Sequence, residues 1–163
     1  MKKIFIVRHA KSDWDNNLID FERPLNERGH HDAPMMAQRI KSLGERPDLI
    51  ISSPAMRAKT TAKYFAEVFD YAIECIEYHH EIYDIGQKFT LDLLTKIPSK
   101  INSVMVFGHN PDHSYLATYL SNENIGNMPT CSVVGVEMQT EYWIDIKNAE
   151  SKLICYEYPK KGE

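Results

Sequence analysis

The sequence has no apolar run of bilayer-spanning length, no internal repeat and no low-complexity tract or linker, which excludes a membrane-spanning helix, a solenoid and a disordered chain. Cysteine is scarce. Cys75, Cys131 and Cys155 are an odd number without CxxC spacing, which argues against a disulfide framework or a zinc site and leaves buried free thiols. The apolar run Ile4–Val7 behind Lys2 and Lys3 stops at Arg8, too short for a signal-peptide core, so the cytoplasm is the expected location. Charge of one sign is lacking as well: 19 Lys and Arg face 23 Asp and Glu, a net charge of −4. That balance argues against a general nucleic-acid or anionic-membrane binder, but it leaves room for a small cationic pocket.

What is present is ordinary globular material. With 163 residues, 43% hydrophobic and 26% charged, the chain has the length of one domain, 1–163, with a core that needs no staples. Short apolar runs alternate with segments of helical period, the pattern of an α/β domain with a buried sheet. Strands are predicted at Lys3–Val7, Asp48–Ser52, Ala72–Ile76, Ser103–Phe107, Ser132–Met138 and Lys152–Tyr156. Ser53-Pro54 and Asn110-Pro111 each read as a cap followed by a first helical residue. The first opens a helix carrying Ala58, Ala62, Phe65 and Phe69, and the second one carrying Leu116, Tyr119 and Leu120. Met36, Ile40 and Leu43 are expected to face inward on another helix that ends before Gly44, in which Pro34 requires either a kink or a start near Asp32. Leu91, Leu94 and Ile97 suggest a short helix ending before Pro98.

Ligands of open α/β sheets bind beyond the carboxyl ends of the strands. The residues that follow the predicted strands are Arg8 and His9, then Ser52, Ser53 and Pro54 with Arg57 in the next helix, and then Gly108, His109 and Asn110. A lone arginine is usually a surface ion pair and a lone histidine a satisfied structural residue. Two guanidiniums and two imidazoles at one edge, with a helix start beside them, form instead a receptor for a phosphoryl group.

These residues carry a family resemblance. Val7-Arg8-His9-Ala10-Lys11-Ser12 is similar to the Arg-His-Gly/Ala signature of the histidine phosphatase superfamily, which includes the phosphoglycerate mutases. Arg23-Pro24-Leu25-Asn26-Glu27-Arg28-Gly29, Ser52-Ser53-Pro54 with Arg57-Ala58 and Thr60-Thr61, and Gly108-His109-Asn110-Pro111 follow in the family's order. The spellings Arg-His-Ala-Lys and Gly-His-Asn-Pro resemble the SixA-type phosphohistidine phosphatases. The resemblance spans residues 4 to about 120 and implies a phosphoglycerate mutase-like three-layer α/β/α sandwich around a mostly parallel sheet of about six strands. It implies His9 as nucleophile, Arg8 and Arg57 as phosphate clamp and His109 as second pocket histidine. Asn110, Lys11, Ser12 and Arg23 follow as further phosphate- or substrate-binding candidates. It also places a proton donor after the third strand, where Glu81 comes first and Asp84 second.

The implied chemistry needs no metal or other cofactor, because guanidiniums supply the charge stabilisation that phosphoryl transfer demands. His109 and His113 have HxxxH spacing, but the cap at Asn110 leaves His109 in a loop and His113 on a helix, so they do not share a helix face. The expected function is hydrolysis of phosphohistidine on a protein partner by a monomer. A phosphatase of small phosphoesters and a phosphate-binding module without turnover remain open. So few residues are left for a lid that the pocket is expected to be open. Thr130-Cys131-Ser132 precedes a strand, and position alone assigns it no role.

Overall fold

Strand β1, Lys2–Arg8, alternates between two cores: Ile4 and Ile6 belong to one, Phe5 and Val7 to the other, and all four are fully buried. The computed structural model describes residues 1–163. Helices α1 (Glu27–Ser42) and α2 (Met56–Val68) cover one face, where Met36, Ile40, Ala62 and Phe65 pack on Phe5 and Val7. Helices α4 (Gln87–Thr95) and α5 (Asp112–Ser121) cover the other, with Leu94, Leu116 and Leu120 in the core of Ile4 and Ile6. The result is the expected three-layer sandwich.

The remaining strands are β2 (Leu49–Ser52), β3 (Glu77–Tyr78), β4 (Ser103–Gly108), β5 (Val133–Met138) and β6 (Ser151–Glu157), and the sheet order is β3-β2-β4-β1-β5-β6. The first four strands in that order run parallel, while β5 and β6 are antiparallel at one edge. Because β4 lies between β2 and β1, the residues that leave these three strands emerge side by side. No helix is long and apolar enough to cross a membrane.

Several local expectations are corrected. The predicted strand Ala72–Ile76 is a 3-10 turn at Ile73–Cys75, and the strand that pairs with β2 is only Glu77–Tyr78. The Ser53 N–H donates to the Phe107 carbonyl at 2.9 Å, which extends the sheet by one residue, and α2 cannot begin before Met56. Asn110 likewise does not cap α5: its side chain donates to Asn127 and Met128 and accepts from Ser114. Leu43, expected to face inward, is 51% exposed because α1 ends at Ser42, and Tyr119 on α5 is 54% exposed. Helix α1 starts at Glu27 rather than near Asp32, because the Asn26 side chain accepts from the Gly29 N–H at 2.9 Å, and the helix runs through Pro34.

Candidate functional site

The carboxyl ends of β1 and β4 are in register, Arg8 opposite Gly108, and the His9 N–H continues the ladder to the Gly108 carbonyl at 3.1 Å. This sets the two histidines on neighbouring strands, with ring centroids 5.3 Å apart. Thr61 ties α2 to the same corner by accepting from the Ala10 N–H and donating to the Arg57 carbonyl, which brings Arg57 to the site. The segment before β5 closes the frame: Arg8 donates to the Met128 carbonyl at 2.8 Å, and the Cys131 N–H to the His9 carbonyl. Thr130-Cys131-Ser132, without an assigned role from position alone, and Met128 just before them therefore frame the site.

His9 is buried, and Nδ1 lies 2.8 Å from the Ala10 carbonyl. A carbonyl only accepts, so Nδ1 carries the proton and Nε2 keeps a free lone pair. Burial chiefly, and then Arg57, Arg8 and Arg23, push the pKa down to about 3 against the Ala10 bond, so the ring is neutral at physiological pH. This is the form that attacks an electrophile. Burial, His9 and Arg57 push the His109 pKa down to about 2, and its Nε2 lies 2.7 Å from the Ser53 hydroxyl.

Three arginines surround the imidazoles. Arg23 and Arg57 are buried, Arg8 partly so, and burial followed by Arg57 lowers the Arg8 pKa. Arg23 donates to the Ser12 hydroxyl and stacks on Trp14, with Cζ 3.7 Å from the ring centre. Asp20, from the 3-10 turn Asp20–Glu22, supplies the anion. Its Oδ2 accepts from Arg57 at 3.0 Å and from the Tyr83 hydroxyl at 2.7 Å, its Oδ1 accepts from Arg23 at 3.2 Å, and its carbonyl accepts from Arg57 at 2.7 Å. The Tyr83 ring meets His109 edge-on at 5.4 Å. The pocket expected to be open thus has Asp20 and Tyr83 at its mouth, because the segment after Ser12 folds back onto the arginines.

Four buried nitrogens in this cluster, Nε of Arg8, Arg23 and Arg57 and Nδ1 of His109, have no hydrogen-bond partner. Buried donors are normally satisfied, so the three guanidinium Nε–H groups at one edge form a preformed site for an anionic acceptor. Of the sequence candidates, the structure brings together Arg8, His9, Ser12, Arg23, Arg57 and His109. Asn110 braces the Met128 carbonyl that Arg8 also uses. The Lys11 side chain makes no hydrogen bond or ion pair. Glu81 lies in the first turn of α3 (His80–Asp84) and likewise makes none, while Asp84 pairs with His80 at 2.8 Å on the surface. The residue α3 contributes is Tyr83, a phenol where a carboxylate was expected. His113 is buried on α5 against Gly108, with Nε2 at the Val106 carbonyl rather than paired with His109 at a shared ligand. No three His, Cys, Asp or Glu side chains converge as a metal-ligand set.

A parallel-centred α/β/α sandwich with histidines and arginines at the strand ends defines a phosphoryl-transfer protein. The model of the histidine phosphatase superfamily (branch 1) matches residues 4–86. An uncharacterised chloroplast protein of Arabidopsis thaliana is 33% identical over 87% of this chain and 69% of its own length. A crystal structure assigned as a phosphohistidine phosphatase SixA, from Agrobacterium tumefaciens, is 27% identical with a TM-score of 0.81, covering 97% of this chain and 98% of that one. A 2,3-bisphosphoglycerate-dependent phosphoglycerate mutase of Chelativorans sp. is 37% identical over 45% of this chain and 38% of its own. The chain belongs to the histidine phosphatase superfamily, with its whole-length likeness to the SixA-type branch, and it is a phosphatase.

Proposed function

We propose that the protein is a phosphohistidine phosphatase acting on phosphorylated protein, through a phosphohistidine intermediate on His9. The observation that carries this reading is the group of unpartnered buried nitrogens on Arg8, Arg57 and His109 beside a neutral His9. Arg8 and Arg57 bind the phosphoryl oxygens, His109 offers a further polar contact, and the His9 Nε2 lone pair forms the new bond to phosphorus. Water then hydrolyses the intermediate to inorganic phosphate. Charge neutralisation by guanidiniums serves without a metal ion, since phosphoryl transfer asks mainly for positioning and electrostatic stabilisation. A phosphoramidate suits a site in which the Glu81 carboxyl makes no hydrogen bond or ion pair, because its leaving group needs less acid assistance than an alkoxide.

Rates on a phosphohistidyl protein and on a panel of sugar phosphates and nucleotides test the proposal. Faster turnover of the phosphohistidyl protein supports it. Turnover of one small ester faster by orders of magnitude contradicts it, and phosphate or vanadate binding without any hydrolysis identifies a binding module.

A further inference from the structure

The site has two sides of different chemistry. His9 is the deep side, at 7% exposure, and the Asp20 side chain is the outer side, at 50%. In-line displacement on phosphorus puts the attacking and leaving atoms on opposite sides, so a leaving group departs toward the mouth where Asp20 stands. A carboxylate has about four acceptor positions. Asp20 uses three: two on Oδ2, for Arg57 and Tyr83, and one on Oδ1, for Arg23. One position on Oδ1 is open. All three partners donate, so Asp20 is an anion that accepts and has no proton to give. Burial raises its pKa, but the Tyr83 bond, Arg57 and Arg23 outweigh that and hold it near about 2.

We propose that Asp20 accepts the distal ring N–H of a phosphohistidine leaving group, and so makes the site selective for N-phosphoryl imidazoles over phosphate esters. The inference rests on the function proposed above. When the donor ring is protonated on its distal nitrogen, attack by His9 Nε2 forms one P–N bond and breaks another. The electron pair of the broken bond stays on the leaving nitrogen, and a neutral imidazole departs with its distal N–H intact. His9 becomes the phosphorylated ring with Nδ1–H retained. The exchange is nearly symmetric between two imidazoles. On the enzyme side, the Ala10 carbonyl holds the N–H at 2.8 Å, and Asp20 provides the equivalent acceptor for the substrate ring. An alkoxide or phenoxide leaving group has no such N–H and faces the Asp20 charge with nothing to donate.

The test is the ratio of kcat/KM for 3-phosphohistidine to kcat/KM for p-nitrophenyl phosphate, in the wild-type protein and in Asp20→Asn, with phosphoserine as a third donor. Taking the ratio removes any general change in phosphate binding that follows from freeing Arg57 and Arg23. The expected result is a ratio at least tenfold lower in Asp20→Asn, with partial recovery in Asp20→Glu. Equal losses on phosphohistidine and on the aryl ester overturn the inference and make Asp20 a positioning residue for the arginines. A larger loss on phosphoserine than on phosphohistidine overturns it by marking Asp20 as a proton donor. A wild-type protein that hydrolyses the aryl ester but not phosphohistidine overturns this inference together with the proposed function, whereas an unchanged ratio overturns this inference alone. If Asp20→Asn fails to fold, Asp20→Glu carries the comparison, with a changed ratio expected and an unchanged one contradicting.

Discussion

Strand β1 carries a cation at each end, and the two are treated oppositely. Lys2, at 1% exposure, donates to the Ser99 and Ile101 carbonyls and to Asn102 Oδ1, so all three ammonium donors are used, and it also lies near the Trp143 ring. Arg8, six residues on, leaves a buried Nε without a partner and has Arg57 as a like-charged neighbour. Burial of a cation is therefore not what marks the functional end of this sheet. The mark is a buried cation with donors unspent: stability alone gives no reason to leave them so, whereas an incoming anion satisfies them. The largest cavity, about 430 Å³ and lined by Tyr119, Met138 and Ile146, lies toward the amino end of β1, since Met138 pairs with Lys2. The largest cavity is thus not where the arginines and histidines converge.

The comparison can be broken most sharply by substitution at the functional end. Arg8→Ala and Arg57→Ala should each lower kcat/KM by ~10²–10³-fold, the usual cost of losing a preorganised charge contact in acyl- or phosphoryl-transfer sites. For Arg8→Ala the melting temperature should hold or rise, because repulsion by Arg57 is relieved. A large fall in stability at unchanged turnover would place Arg8 with Lys2. Inorganic phosphate should fill the unpartnered donors and stabilise the fold by about 2.7 kcal/mol at a hundred times its Kd, an effect lost in Arg57→Ala and kept in Lys2→Met. Thermal shift over a phosphate series measures it. Lys2→Met should leave turnover intact and cost about 1–3 kcal/mol by orphaning the Ser99 carbonyl and Asn102 Oδ1, while the Ile101 carbonyl keeps the Trp143 indole N–H, as read from denaturant melts.

The two ends should also differ in pH dependence. His9, His109 and His113 have folded pKa values of about 3, about 2 and about 4, all depressed mainly by burial from 6.5. The unfolded chain therefore binds protons that the folded chain refuses as pH falls below about 6.5, and stability should drop with pH by at most about 1.4 kcal/mol per unit for each histidine. Asp20 acts lower, its contribution present above about 3.8 and lost as pH falls through about 2. His109→Ala should flatten the slope between pH 6.5 and 4, and Lys2→Met should leave it unchanged. A slope that Lys2→Met flattens and His109→Ala does not would contradict the assignment.

The inner half of the site was legible in the sequence because its residues sit directly after strands whose apolar runs are unmistakable. Arg8 and His9 follow Ile4–Val7, and His109 follows Val104–Phe107. Arg57 was found through the segment after β2, although its helix begins two residues later than Pro54 suggested, because Ser53 is still held by the sheet. The outer half was not legible. Asp20 meets Arg57 across 37 positions and Tyr83 across 63, and it comes from a segment with no helical or strand period. Glu81 drew attention as a carboxylate, while its neighbour Tyr83 makes the contact through a phenol. The misplaced third strand has a similar origin: alternation in Ala72–Ile76 mimics a strand, but only Ile76 among them is buried, and β3 pairs over just two residues.

The most direct test of the account is to trap the intermediate. Protein mixed with a 32P-labelled phosphohistidyl donor and quenched within milliseconds in alkaline denaturant should carry up to one acid-labile phosphate per chain, mapped to His9 and absent from His9→Ala. Phosphate on another residue, or a His9→Ala protein that still turns over substrate at the wild-type rate, would contradict it.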